Sequence, residues 1–134
     1  MRISLRRRVA QMTEWLRRNH PTPYPVVVRW TPKVASDPGD PPETRKIGDF
    51  AECYWQRPNI VIRLSSRRCR AFSAASETLL HEWAHAQTMP NERVSRHPAR
   101  SHEEHPDEWA LAYGKLYRAW VDDGGCVESR RIEI

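Results

Sequence analysis

The stretch "SETLLHEWAHAQTM", residues 76–89, sets two histidines four positions apart with a glutamate beside the first. In an α-helix, positions i and i+4 lie one above the other, so His81 and His85 would offer their imidazoles from a single face. Leu79, Leu80, Trp83 and Ala84 surround them with apolar side chains, which predicts a helix anchored in a core. Two neutral imidazoles suit Zn²⁺, whose tetrahedral shell needs further donors. The chain therefore has to fold a second segment over this helix. Glu82 is expected to address a water on the metal and relay its proton. The bland alternative is a pair of polar surface histidines.

The third donor is sought in "SHEEHPDEWALAYGKLYRAW", residues 101–120. His105 stands just before a predicted helix, where the turn could aim it across to His81 and His85. Glu108 and His102 compete with it. An acid at position 108 also has a structural explanation, because helix N-termini favour negative charge. Trp109 is expected to anchor the turn. Tyr113, Tyr117 and His102 are candidate donors to a tetrahedral intermediate, although packing accounts for both tyrosines equally well.

The rest of the chain supplies the frame. At 134 residues it holds one domain, 1–134, with room for one modest core. Leu5, Val9, Met12 and Leu16 recur at helical spacing, predicting a basic N-terminal helix over about 4–19. "YPVVVRW" reads as a strand, and the Pro-, Gly- and Asp-rich residues 31–48 as a polar loop. "FAECYWQ" and "NIVIRLSS" are two further strands around Arg57-Pro58-Asn59, a hairpin break. In the second, Ile60, Ile62 and Leu64 alternate as core positions, while an open edge could pair with an extended substrate. Ser73 is the expected cap of the histidine-bearing helix. A last helix over 106–121 carries Trp109, Ala112, Leu116 and Trp120 on one side, with Pro106 in its first turn.

Charge is concentrated. The first twenty residues hold six arginines against Glu14, and residues 57–70 hold five arginines and no acid, although the whole chain has a net charge of only +5. Nucleic acid is thus a candidate partner through basic regions 2–18 and 57–70. Solvated arginines are the plain alternative. Cys53, Cys69 and Cys126 form no close-spaced pair, which points to a reducing compartment. With no secretory or membrane-spanning apolar segment, a cytoplasmic protein without a membrane partner is expected.

"HEWAH" followed by "HPDEW" resembles the SprT-like zinc metallopeptidases, in a minimal form without their C-terminal cysteine zinc ribbon. The resemblance is concentrated in residues 79–120. It implies an α+β, zincin-like fold in which a small mixed or antiparallel sheet packs on the active-site helix and a second helix supplies the third metal ligand. It further implies one Zn²⁺ held by His81, His85 and His105, Glu82 as general base, Trp109 as the family aromatic, and hydrolysis of a peptide or protein substrate. Pro106 stands where members of that family commonly have glycine. The competing expectation is a non-catalytic, zinc-stabilised nucleic-acid-binding or regulatory protein.

Overall fold

The computed structural model describes residues 3–35, 48–89 and 106–123. Its elements run α1 (Leu5–Asn19), β1 (Val26–Thr31), β2 (Ala51–Gln56), β3 (Asn59–Ser65), α2 (Phe72–Thr88) and α3 (Pro106–Asp122). Most of the polar loop, together with His102, His105 and Cys126, lies outside the described residues.

Helix α1 starts where Ser4, extended at the cap position, accepts a hydrogen bond from the Arg7 amide at 3.2 Å. It buries Val9, Met12 and Leu16, three positions of its apolar stripe. The His20 amide closes the last turn on the Leu16 carbonyl at 2.7 Å, just before Pro21.

Among the described residues the sheet is three-stranded and mixed, in the order β1-β3-β2. β1 runs parallel to β3 and β2 antiparallel to it, with Gln56 opposite Asn59 across the Arg57-Pro58 turn. Pro58 sits in that turn, outside the ladder, where its missing N–H breaks no strand pairing. On the core face of β3, Ile60, Ile62 and Leu64 are fully buried. Because β3 is central, both of its edges are taken, and the open edge considered for an extended substrate is not present on it.

Helix α2 packs on β2 and β3 and lies against both α1 and α3. Its cap position is Ala71 rather than Ser73. Phe72 is buried, and the preceding turn is tied back by the Cys69 amide on the Ser65 carbonyl at 2.8 Å, so the helix begins one residue before the serine. Ser73 instead offers its carbonyl to the Ser76 hydroxyl at 3.1 Å. Trp83, fully buried, donates its indole N–H to the His20 carbonyl at 2.8 Å and ties α2 to the end of α1. Trp120 of α3 meets the Trp15 ring of α1 edge-on at 5.0 Å. Gly48, at φ +83°, lets Asp49 bridge to Val34; a Cβ there would stand 2.2 Å from the Val34 carbonyl oxygen.

The architecture is therefore α+β, with a mixed sheet packed on helices. The zincin-like description is corrected, because it requires a second helix to complete a cluster of metal ligands, and no such cluster occurs among the described residues.

Candidate functional site

His81 and His85 do share a face of α2, with ring centroids 5.0 Å apart. His85 is buried and His81 half-buried. α3 lays the Trp109 indole against both imidazoles, at 4.6 Å from His81 and 5.3 Å from His85. The same indole donates its N–H to the His81 carbonyl at 3.2 Å. Tyr113 stands 6.0 Å from His81, and Tyr117 stacks on Tyr113 at 6.2 Å. What α3 delivers here is an aromatic wall.

That arrangement corrects the metal reading. Among the described residues, no group of three or more His, Cys, Asp or Glu side chains is placed to hold a metal ion. A zinc shell needs converging donors, and the described neighbour over both imidazoles is the indole of Trp109. Glu108 is exposed and lines a different depression with His20 and Lys115. His105, expected as third ligand, and its competitor His102 lie outside the described residues. The resemblance to SprT-like zinc metallopeptidases, the Zn²⁺ ion and the zinc-dependent peptide hydrolysis are corrected together. The zinc-stabilised alternative needs the same ion and falls with them.

Glu82 projects from the same helix into a different environment. It is only 5% exposed, and its Oε2 meets no hydrogen-bond partner among the described residues. Burial pushes its carboxyl up to about 8, helped by the negative charges of Glu52 and Asp49. Glu82 therefore holds a proton at neutral pH. Burial likewise raises the Cys53 thiol well above its ordinary value, with Glu82 and Glu52 adding to the effect. Cys53 and Cys69 are both free and buried.

The arginines divide into two groups. Arg8 stacks over Phe72 at 4.1 Å and Arg68 over Phe50 at 4.2 Å. Arg63 pairs with Glu52 at 3.3 Å, and Arg17 pairs with Glu14. These four serve packing and local pairing. Arg6, Arg7, Arg18, Arg57, Arg67 and Arg70 are the other exposed arginines of the two basic segments among the described residues. Of these, Arg6 from the start of α1 and Arg70 from the turn before α2 line one groove together with Trp30 of β1. Ser4, Leu5, Ser66 and Cys69 complete it, around a cavity volume of about 420 Å³. The Arg6 guanidinium lies 5.4 Å from the Trp30 ring centroid. The clustering of arginines was visible in the sequence, but Trp30 read only as a strand residue, and nothing local marked it as their neighbour.

Comparison of the chain with known protein families, with curated proteins and with solved structures returned no match. Among the described residues no helix is long and apolar enough to cross a membrane.

Proposed function

We propose that the chain binds nucleic acid, single strands in preference to duplex, in the groove formed by Arg6, Trp30 and Arg70. The observation that carries this reading is the convergence of Arg6 and Arg70, more than sixty positions apart in sequence and one from each basic segment, on one aromatic-lined groove. Guanidinium groups neutralise phosphates and release counterions, which supplies affinity without reading sequence. Trp30, half-buried under Arg6, offers an arginine-backed ring on which an unstacked base can lie. A duplex keeps its bases stacked and leaves that ring unused. The first turn of α1 carries no acidic residue, so the positive end of its dipole adds to the attraction beside Arg6. The free, buried Cys53 and Cys69 favour a reducing, cytoplasmic setting.

The test is fluorescence anisotropy with labelled single-stranded and duplex oligonucleotides over a salt series. Affinity should fall linearly on a log–log plot. The Arg6→Ala/Arg70→Ala double variant should bind roughly tenfold more weakly and flatten the single-strand slope by about 1.4, the share of two phosphate contacts. Trp30→Leu, checked for an intact melting transition, should lose more affinity for single strands than for duplex. Binding that is absent at low salt, or that is unchanged in the double arginine variant, would refute the assignment.

A further inference from the structure

We infer that the outward face of α3 is a self-association surface on which a second copy of this chain docks antiparallel. Only four large apolar side chains are exposed among the described residues, and three of them, Leu111, Tyr117 and Val121, lie on this helix. With Gly114 they recur at steps of three and four residues, and so form one stripe. Leu111, at 67%, is the most exposed of the four.

Gly114 is the second, independent observation. A glycine inside a helix weakens it, and its missing side chain leaves room for another backbone or a ligand to come close. Here a Cβ would meet nothing within 4 Å, so no described neighbour in the chain uses the missing side chain. A helix of a second copy crossing at Gly114 would.

Charge on the same face makes the arrangement self-complementary. Asp107 precedes Gly114 by seven residues and Arg118 follows it by four. When two copies of α3 run antiparallel with Gly114 opposite Gly114, Asp107 of each lies within about one turn of Arg118 of the other. A two-fold axis thus forms the ion pair twice, as isologous association requires. Among the described residues Arg118 pairs with Asp122, at 3.9 Å, and both side chains are largely exposed, so the arginine is available for exchange. Parallel association would instead set like charges side by side. The contact is one helix wide, below the size of an obligate interface, so a concentration-dependent dimer is expected.

Sedimentation equilibrium on the full chain, from about 10 μM to about 1 mM, reads this directly. The mass should rise from 15.8 kDa toward twice that value. Leu111→Lys should keep the monomer mass throughout. Asp107→Arg and Arg118→Asp should each weaken the dimer roughly tenfold, and the double swap should restore it. All the substituted positions are exposed, and far-UV circular dichroism verifies folding of each variant. A monomer mass at every concentration, a Leu111→Lys dimer as strong as wild type, or a double swap no better than the single ones would each overturn the inference.

Discussion

Replacing Glu82 by glutamine should stabilise this protein above about pH 5. The carboxyl is buried, one oxygen meets no hydrogen-bond partner among the described residues, and its value in the folded chain is raised from 4.5 to about 8. The folded state therefore binds this proton more tightly than the unfolded state. Between those two values the unfolded chain is ionised at Glu82 while the folded chain is still protonated. Stability is fully present below the unfolded value, falls by about 1.4 kcal/mol per pH unit as pH rises, and levels off above pH 8. The whole loss amounts to about 5 kcal/mol as an upper figure, since water entering the site would reduce it. Glutamine keeps the shape and cannot ionise. Near pH 5 the two proteins should have similar stability, and at pH 8 Glu82→Gln should be more stable by at least about 2 kcal/mol. Urea unfolding at pH steps from about 5 to 9, with a constant m-value, measures both curves. A variant less stable than wild type at pH 8, or two parallel curves, would show that the carboxyl is not held protonated.

Two glycines should respond in opposite directions to alanine. Gly48→Ala forces a Cβ to within 2.2 Å of the Val34 carbonyl oxygen at a positive φ and should cost more than about 1 kcal/mol, whereas Gly114→Ala meets open space and should add up to about 1 kcal/mol, both read by thermal melting of dilute protein. Trp83→Phe removes buried ring area and the 2.8 Å bond to the His20 carbonyl, so unfolding in urea should show a loss of about 1–3 kcal/mol; a neutral result would mean that α2 is not tied to the end of α1 in this way.

Periodicity made much of the core legible. The stripe of α1 appears as buried Val9, Met12 and Leu16, the alternation of β3 as buried Ile60, Ile62 and Leu64, and the spacing of α3 as Leu116 and Trp120. These are properties of single elements, and a repeat of 3.6 or 2 residues encodes them directly. The failures lie where one element meets another. Ser73 has the right chemistry for a helix cap, but burial of Phe72 and the Ser65-tied turn start α2 earlier. "NIVIRLSS" carries no sign of how many neighbours it has, and it is central. The eleven arginines of the two basic segments look alike in sequence. Only their surroundings separate Arg8 over Phe72 from Arg6 and Arg70 in the groove.

The histidine pair marks the same boundary. By itself the sequence determined that His81 and His85 share a helix face with Glu82 beside them, because four residues make about one turn wherever a helix forms. Which groups then meet that face was decided by the packing of α3 on α2. Trp109 stands against both imidazoles, and Glu82 turns into a buried site where desolvation, helped by the negative charges of Glu52 and Asp49, keeps a proton on its carboxyl. A ligand shell, a burial and a groove are distances between segments remote in the chain, and local spacing holds no record of them.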